Sequence, residues 1–251
     1  GDISMMRVIV NGSNGRMGSE IVSMIQKESA DLDATLAAAV DVTGSCHGVF
    51  SSLAEYTGPA DVIIDFTFHT TAEALTEYAI TRCLPLVIAT TGHTQEELAV
   101  IRKAALKIPL FQASNMSIGV AMLVEFAKKA ASVFPKADIE IVEKHHNRKK
   151  DAPSGTAMTI ADALTSVRPG AVIKCGRSGF ETRDPDDITI HSLRMGDIVG
   201  DHEVYITTDS QQFVLRHEAF SRTLFAEGAI CAAKFLQGKP AGYYRMEDMI
   251  R

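Results

Sequence analysis

The stretch of sequence that decides the fold is Arg7–Gly18, which reads RVIVNGSNGRMG. Its first part, Arg7–Val10, is rich in β-branched residues and predicts a strand, and helical spacing of apolar residues runs over Arg16–Lys27. Glycines at every third position join the two. Glycine permits a tight turn and lets backbone N–H groups approach a pyrophosphate at a helix N-terminus. The candidate cofactor-binding residues here are Gly12, Gly15, Arg16, Met17 and Gly18.

The glycine spacing alone is a weak indication of a nucleotide site. It follows G-x-x-G-x-x-G rather than the usual G-x-G-x-x-G, so a turn without a ligand fits about as well. Asp41 favours a dinucleotide, because it follows the second predicted strand and lies 23 residues after Gly18, near the offset of a carboxylate that binds the adenosine ribose. Val42 offers no guanidinium for the phosphate of NADP, although Arg16 is nearby. We therefore expect NADH as the cofactor and leave NADPH open.

Strand and helix patterns alternate through the first half of the chain. The strands after the first helix are continuously apolar, which is typical of strands covered on both faces. This order predicts a doubly wound parallel sheet of the Rossmann type. The predicted strands are Arg7–Val10, Ala34–Val40, Val62–Asp65, Leu86–Ala89 and Leu110–Ala113, and the predicted helices are Arg16–Lys27, Thr71–Thr81 and Gln95–Lys107.

The pattern changes after a helix predicted over Ile118–Val133. Longer strands with few helices between them predict a second α+β domain with an open, mostly antiparallel sheet. A last helix, Arg222–Gln237, ends at the stop signal of Gly238 and Pro240 and should return to the first sheet. We therefore expect one domain over 1–116 and 222–251 and another over 117–221. The predicted strands of the second domain are Ala137–Glu143, Ile188–Leu193, Glu203–Thr208 and Gln212–His217.

Composition is that of an ordinary globular protein. The 251 residues are 46% hydrophobic and 22% charged, which argues against disorder as the main state. The net charge of −6 argues against a broad nucleic-acid or membrane-binding surface, so any anion site must be local. Neither a long apolar run nor a signal pattern is present in the sequence. We expect a cytoplasmic protein without nucleic-acid or membrane partners.

The four cysteines, Cys46, Cys83, Cys175 and Cys231, are widely spaced and include no C-x-x-C pair. They are expected to be reduced thiols in the core of a cytosolic protein. The residues Gly1–Ser4, before Met5, are expected to lie outside the fold.

Polar and small residues follow the later strands of the predicted parallel sheet. Ligands bind at this edge in open parallel sheets, although ordinary turn chemistry explains any single residue equally well. Together these positions could supply the polar groups that a nicotinamide amide needs. The candidates are Phe66, Thr67, Ala89, Thr90, Thr91, Gly92, Ser114, Asn115 and Met116.

The segment Glu140–Ala157, EIVEKHHNRKKDAPSGTA, concentrates basic residues and two histidines in an acidic chain. A solvated basic loop is one explanation. The start of a helix at Ser154 favours another, because backbone N–H groups there bind a carboxylate as they would a phosphate. A metal site that combines the histidines with Glu140 or Glu143 is disfavoured, since adjacent strand residues point to opposite faces and no cysteine is near; we expect no metal. Hydride transfer beside such a segment suggests reduction of an acidic imine or carbonyl compound.

Several motifs carry a family resemblance that runs from Arg7 to the end of the sequence. They are Gly12–Gly18, Asp65–Thr67, Thr90–Gly92, Glu140–Ala157, Arg194–His202 and His217–Arg222. Together they resemble the bacterial 4-hydroxy-tetrahydrodipicolinate reductases, formerly called dihydrodipicolinate reductases, and the histidine-rich segment is the most specific of them. The sequence departs from the family at Val42, where some members carry arginine, at Ala89, where glycine is common, and at Met116, where phenylalanine is usual.

The resemblance implies an oxidoreductase of diaminopimelate and lysine biosynthesis that reduces a cyclic dicarboxylate with NADH or NADPH. It implies that His145 donates a proton and that Lys149 assists acid catalysis or loss of the substrate hydroxyl. His146, Lys149, Gly155 and Thr156 would bind the substrate carboxylates. It also implies a homotetramer assembled through the C-terminal sheets, so that residues 117–221 would serve both substrate binding and oligomerisation.

Two alternatives remain at this point. A dinucleotide-binding sensor without catalysis would need the glycine turn but not the cationic segment. Another amino-acid or hydroxy-acid dehydrogenase of the same architecture would explain the first domain but not residues 140–157.

Overall fold

A computed structural model describes residues 5–44 and 48–251. The chain divides into two compact units. The first contains the chain up to Ser117 and from Thr223 onwards, and the second spans Ile118–Arg222. The assignment of a cofactor role to one unit and a substrate role to the other stays a prediction from sequence.

The first unit begins with alternating strands and helices. These are β1 (Met6–Asn11), α1 (Arg16–Lys27), β2 (Ala34–Val40), β3 (Val49–Phe50), β4 (Val62–Asp65), α2 (Ala72–Thr81), β5 (Leu86–Ile88), α3 (Gln95–Ala105) and β6 (Pro109–Gln112), with short 3₁₀ helices at Leu53–Glu55 and His69–Thr71.

The second unit and the end of the chain supply the remaining elements. The second unit contains α4 (Ile118–Val133), β7 (Asp138–His145), α5 (Gly155–Thr165), β8 (Val172–Cys175), β9 (Asp187–Arg194), β10 (Gly200–Thr207) and β11 (Gln212–Ala219), and the chain ends with α6 (Thr223–Leu236), β12 (Gly242–Tyr244) and α7 (Met246–Met249).

Seven parallel strands form the sheet of the first unit, in the order β12-β6-β5-β4-β1-β2-β3. The Rossmann-type parallel sheet predicted from the sequence is confirmed. Successive residues of β1 and β4 point to opposite faces of the sheet, and all of them are buried except Arg7, which is half-buried. Both faces at the centre of the sheet are therefore covered. The helix α6 packs against this sheet and α1, and a Cβ at Gly228 would lie 1.7 Å from the carbonyl oxygen of Met116. Glycine is therefore required at position 228, where α6 packs against the backbone of Met116.

The second unit has a five-stranded sheet in the order β11-β10-β7-β9-β8. The α+β architecture is confirmed, but the sheet is mixed rather than mostly antiparallel. The strand β10 is antiparallel to β7 and β11, whereas β9 is parallel to β7 and β8. The reason is that α5 follows β7 and carries the chain back across the sheet, as a crossover to a parallel strand requires. Apolar residues of α4 and α5 form one core with the sheet.

Three strands were missing from the sequence prediction: β3, β8 and β12. Each lies at the edge of its sheet and has four residues or fewer, so it is too short to show a regular hydrophobic pattern.

The expectation of core cysteines is wrong for the three that the structure describes. Cys83, Cys175 and Cys231 are free thiols, but all three are exposed. Cys83 lies in the turn after α2, Cys175 ends an edge strand, and Cys231 lies on the outer face of α6, so none of these positions faces a core. Cys46 and Gly1–Ser4 lie outside the described residues.

Every helix within the described ranges is too short or too polar to cross a membrane.

Candidate active site

The glycine turn between β1 and α1 brings backbone very close to backbone. Gly12 has a φ of +84°, and a Cβ there would lie 2.5 Å from the carbonyl oxygen of Phe66. A Cβ at Gly18 would lie 2.0 Å from the carbonyl oxygen of Gly12, so α1 can approach the turn only because this residue is glycine. These two contacts explain why the turn needs glycine at both ends.

The N-terminus of α1 is open to a ligand. Gly15 is its N-cap, and no described side chain caps the helix there. The first N–H groups of a helix lack partners within it, and they attract an anion. The hydroxyl of Ser13 beside them is buried and finds no hydrogen-bond partner among the described residues. The turn therefore offers several donors to a bound phosphate group.

A cavity of about 560 Å³ lies beside this turn, and most of its surface is apolar. Such a cavity has the size and character of a site for a small molecule. The predicted cofactor residues around it are Gly12, Gly15, Asp41, Phe66 and Thr67, whereas Arg16, Met17 and Gly18 are not part of its lining. Arg16 is exposed at the start of α1, and Gly18 is buried under the turn.

Asp41 follows β2 and connects it to the glycine turn. Its Oδ2 accepts a hydrogen bond from the backbone N–H of Asn14 at 3.0 Å, and its Oδ1 accepts from the Thr43 N–H at 3.0 Å and the Thr43 hydroxyl at 2.6 Å. Desolvation acts to raise the pKa of Asp41, but these hydrogen bonds outweigh it and hold the pKa below its usual value. The carboxylate is therefore ionised and fixed at the rim of the cavity.

Asp65 organises the neighbouring strand ends and was not predicted as a site residue. Its carboxyl is almost fully buried and accepts hydrogen bonds from Asn11 at 2.8 Å, Thr67 at 2.8 Å and Thr90 at 2.6 Å. Thr90 in turn accepts from the backbone N–H of Thr67 at 3.0 Å. Burial raises the pKa of Asp65, and the hydrogen bonds act in the opposite direction. The available signal in the sequence was a carboxylate at the end of an otherwise apolar strand.

The remaining predicted cofactor residues lie at the ends of β5 and β6, which neighbour β4 in the sheet. Thr91, Gly92 and Ser114 are exposed, and Asn115 accepts a hydrogen bond from the backbone N–H of Ser117 at 2.8 Å. Ala89, Thr90 and Met116 are buried, so they would act through their backbone or by packing behind the ligand.

The second unit contains the basic segment, which runs from the end of β7 to the start of α5. His145 is the last residue of β7, and its Nδ1 lies 2.6 Å from Oε2 of Glu143. Two positions apart on a strand, these residues point to the same face of the sheet. The guanidinium of Arg194 binds both oxygens of Glu143, at 2.8 and 2.7 Å. Glu143 was considered only as a metal ligand from sequence, and Arg194 was not singled out.

The carboxylate of Glu143 has no exposed surface. Its Oε1 also accepts a hydrogen bond from the backbone N–H of Ser154 at 3.1 Å. Burial acts to raise the pKa of Glu143, but the hydrogen bonds from His145 and Arg194 outweigh it and lower the pKa well below the usual range. A fully ionised carboxylate therefore lies directly beside the imidazole of His145.

Lys149 and His146 belong to the same segment. The Nζ of Lys149 lies 2.8 Å from both carboxylate oxygens of Asp151, and this ion pair lowers the pKa of Asp151. His146 Nδ1 is buried and finds no hydrogen-bond partner in the described ranges. Desolvation, followed by the positive charges of Arg148 and Arg222, lowers the pKa of His146. Its imidazole is therefore biased towards the neutral form until an anion binds nearby.

The start of α5 provides the other half of this site. Ser154 is the N-cap, and its hydroxyl accepts a hydrogen bond from the Ala157 N–H at 3.1 Å. Gly155 and Thr156 form the first turn, and a Cβ at Gly155 would have no atom within 4 Å. The helix start is therefore accessible at Gly155, where a carboxylate could approach the backbone.

His202 on β10 packs against His145, with ring centroids 5.3 Å apart, and was not predicted from the sequence as a site residue. Its Nε2 lies 3.0 Å from the hydroxyl of Ser154. Burial, followed by the positive charge of His145, lowers the pKa of His202 to about 4. It is therefore neutral at physiological pH.

Within the described residues, no group of three or more histidine, cysteine, aspartate or glutamate side chains could hold a metal ion.

The second unit thus brings together His145, His146, Lys149, Gly155 and Thr156, all predicted from one stretch of sequence. An imidazole bonded to a carboxylate can give up a proton, and an ammonium group beside a helix N-terminus can bind a carboxylate. The first unit offers a separate, apolar cavity beside a helix N-terminus. The features of the first unit suit a dinucleotide, and those of the second unit suit an anionic substrate.

Comparison with known families matches nearly the whole chain. The family described as "Dihydrodipicolinate reductase, N-terminus" matches residues 6–116, and "Dihydrodipicolinate reductase, C-terminus" matches residues 119–250. A 4-hydroxy-tetrahydrodipicolinate reductase of Caldanaerobacter subterraneus subsp. tengcongensis is 43% identical over 249 residues, which are 98% of this chain and 99% of the relative. The enzyme of the same name from Clostridium tetani is 38% identical over 254 residues, with 98% and 97% coverage.

A solved structure agrees with these relatives. The dipicolinate-bound dihydrodipicolinate reductase from Paenisporosarcina sp. TG-14 superimposes with a TM-score of 0.77 at 26% sequence identity. The match covers 96% of this chain and 97% of that one.

Proposed function

Because the chain belongs to the dihydrodipicolinate reductase family, we propose that His145 and Lys149 carry its chemistry and that the glycine turn holds its cofactor. The enzyme is an oxidoreductase that reduces 4-hydroxy-tetrahydrodipicolinate to tetrahydrodipicolinate with a nicotinamide dinucleotide, in diaminopimelate and lysine biosynthesis. The observation that carries the assignment of residues is the Glu143–His145 pair, which lies in one unit with Lys149 and the open start of α5.

The first unit fits a dinucleotide. Gly12 and Gly18 have no side chain, so the backbone of the turn packs closely at both positions. The buried hydroxyl of Ser13 has no hydrogen-bond partner among the described residues, and no described side chain caps the start of α1. A pyrophosphate at this position would be stabilised by the N–H groups of the first turn. When bound, the cofactor supplies a hydride. The buried Asp65 would keep the ends of β4 and β5 in position around it.

Asp41 is the proposed basis of a preference for NADH. Its carboxylate is fixed beside the turn and ionised. It would accept hydrogen bonds from the ribose hydroxyls of NADH, whereas the 2′-phosphate of NADPH would meet its negative charge. Val42 is 81% exposed and brings no cation to that position, which supports the same preference.

The second unit is the proposed substrate site. The Paenisporosarcina reductase binds dipicolinate, a small dicarboxylate, and we propose that this chain binds a dicarboxylate as its substrate. Lys149, His146 and the N–H groups of Gly155 and Thr156 would hold the two carboxylates. Lys149 is only 21% exposed and is already oriented by Asp151, so a substrate carboxylate would share or replace that ion pair. This local positive charge explains how a chain of net charge −6 can bind a dianion.

Proton transfer is assigned to His145. Hydride addition to a conjugated imine places negative charge on the substrate, and a proton must arrive nearby. The imidazole of His145 is the proton donor, and the ionised Glu143 holds its Nδ1 side in place. Before the hydride arrives, Lys149 would protonate the departing hydroxyl, which leaves as water while a neighbouring ring C–H releases its proton to solvent. The conjugated imine that results accepts the hydride and the proton from His145, and Lys149 would stabilise the charge that develops.

The proposal extends to a homotetrameric assembly and a cytoplasmic location. The strand β11 is an edge strand that exposes Phe213 and Val214, as expected of a surface that pairs with another copy in a homotetramer. The exposed free thiols of Cys83 and Cys175 suit a reducing compartment, and we propose the cytoplasm.

One assay tests this assignment. Purified protein is mixed with enzymatically generated substrate, and oxidation of NADH and NADPH is followed by absorbance. We expect turnover by the wild type and none above background by the His145→Ala, Lys149→Ala double variant, which should still bind NADH. Cofactor binding by the wild type without turnover would instead favour a dinucleotide-binding sensor.

A further inference from the structure

Glu143 is a buried charge whose hydrogen-bonding capacity is fully used. It accepts hydrogen bonds from the imidazole of His145, both terminal nitrogens of Arg194, the backbone N–H of Ser154 and the side chain of Ser192. Burying a carboxylate is costly unless its partners are well placed, and removing one of them leaves an uncompensated charge. A purely structural ion pair would need Arg194 alone. The additional contacts connect the carboxylate to the proposed proton donor and to the start of the proposed substrate-binding helix.

The contact with His145 distinguishes between its two ring nitrogens. Nδ1 lies against an ionised carboxylate, which can only accept, so Nδ1 must carry a hydrogen. On the other side of the ring, a Cβ at Gly200 would lie 3.0 Å from Nε2. The ring is therefore held between Glu143 and β10, and Nε2 is the nitrogen left to exchange a proton with a substrate.

We propose that Glu143 is a positioning residue of the reductase: it fixes the orientation and the Nδ1–H form of His145, while Arg194 holds Glu143 in place. The inference rests on the proposed role of His145 and extends it to residues that do not touch the substrate. The register of the sheet supports it, because β7 pairs with β9 so that His145 lies opposite Arg194. This pairing brings the guanidinium beside the carboxylate.

Other charged or titratable groups also face His145. The ring of His202 on β10 is neutral, with a pKa of about 4. Lys149 and His146 belong to the loop after β7, and Arg194 lies on β9. Among these neighbours, Glu143 contacts Nδ1 of His145 and the ring of His202 packs against its imidazole, so the side chain is held from two sides.

The test is the Glu143→Gln variant, which keeps the shape of the side chain and removes its charge. We expect kcat to fall by about 10- to 100-fold, less than the loss expected for removing a general acid itself. KM for the substrate should stay within about twofold of the wild-type value, because Glu143 positions His145 without touching the substrate. NADH affinity, which depends on the first unit, should not change.

Glu140→Gln is the matched control. Glu140 lies on the same strand and also binds an arginine and a histidine, Arg183 at 3.1 Å and His191 at 2.7 Å, but not His145. We expect its kcat and KM to match those of the wild type. A wild-type kcat in Glu143→Gln would overturn the inference and leave Glu143 as a structural ion pair.

A measurement on the wild type covers the case in which Glu143→Gln does not fold. Nitrogen-15 NMR of histidine-labelled protein reports which ring nitrogen carries the proton, and His145→Ala identifies the resonance. We expect the Nδ1–H form at high pH; the Nε2–H form would overturn the inference. Normal turnover by His145→Ala would instead contradict the proposed function, so the two failures are distinct.

Discussion

Asp41 accepts a hydrogen bond from the backbone N–H of Asn14 at 3.0 Å, which connects the end of β2 to the glycine turn. The contact joins two elements that a dinucleotide would have to bridge, the turn for its pyrophosphate and the acid for its ribose. Asp41 therefore both shapes the turn and faces the cavity beside it.

Asp41→Ala should weaken NADH binding more than NADPH binding. The variant removes the proposed acceptor for the ribose hydroxyls, and it also removes a charge that would repel the 2′-phosphate. We expect KM for NADH to rise about tenfold, equivalent to about 1.4 kcal/mol, and the ratio of the two KM values to shift towards NADPH. Steady-state kinetics with both cofactors measure this. Asp31→Ala, at an exposed site of the same unit, is the control. An equal loss for both cofactors would place Asp41 outside the adenosine-ribose site.

His145→Ala and His146→Ala should fail in different ways. Loss of His145, the proposed proton donor, should lower kcat by about 10²–10⁴-fold without changing NADH affinity. Loss of His146, a proposed carboxylate contact, should mainly raise KM for the substrate. Kinetics beside cofactor titrations separate the two effects. Equal effects of both variants on kcat would contradict the assigned roles.

Lys149→Ala should raise KM and lower kcat together, because the ammonium group would bind a carboxylate and also serve the chemistry. Lys149→Arg should restore part of the binding but not kcat, since a guanidinium hardly ever releases a proton. Lys150→Ala, at the exposed neighbouring position, is the control and should behave like the wild type. Recovery of full kcat by Lys149→Arg would restrict the role of Lys149 to electrostatics.

Gly18→Ala should disrupt the turn. Its Cβ would lie 2.0 Å from the Gly12 carbonyl oxygen, so either α1 or the turn must move. We expect a lower Tm and NADH binding weakened by at least about tenfold, equivalent to about 1.4 kcal/mol, measured by thermal denaturation and cofactor titration. Gly170→Ala is a control for backbone strain alone, because that glycine has a φ of +88° but no atom within 4 Å of an added Cβ. Normal NADH binding by Gly18→Ala would show that the turn adapts.

His202 should make the protein less stable in mild acid. Its pKa is lowered from 6.5 to about 4 in the folded protein, so between these values the unfolded chain binds the proton more readily. Stability should therefore fall as pH drops below 6.5, by up to roughly 3 kcal/mol once pH falls below about 4. His202→Gln should flatten the dependence of Tm on pH across this window. His191→Gln, at a half-buried position on β9, should keep it; an unchanged slope in His202→Gln would refute the assignment.

Much of the fold was predictable because its signals are local. The helix over Arg16–Lys27 and the strands Ala34–Val40 and Val62–Asp65 have the predicted limits, since apolar periodicity and flanking turns define them within a few residues. Which strands of the second sheet pair in parallel and which pair antiparallel was not predictable in this way. A strand pattern shows which residues face a core, but the direction of pairing depends on where α5 carries the chain.

The candidate site, like the fold, has features that the sequence predicts and others that depend on tertiary contacts. The sequence alone determined the glycine turn, the acid after the second strand and the basic segment from Glu140 to Ala157, because each consists of neighbours whose chemistry depends on local backbone. Only the tertiary structure decided that Arg194 meets Glu143 across 51 residues and that Asn11 meets Asp65 across 54. Contacts of this kind depend on strand order and register, and a one-residue slip would turn the same side chains to the opposite face of the sheet.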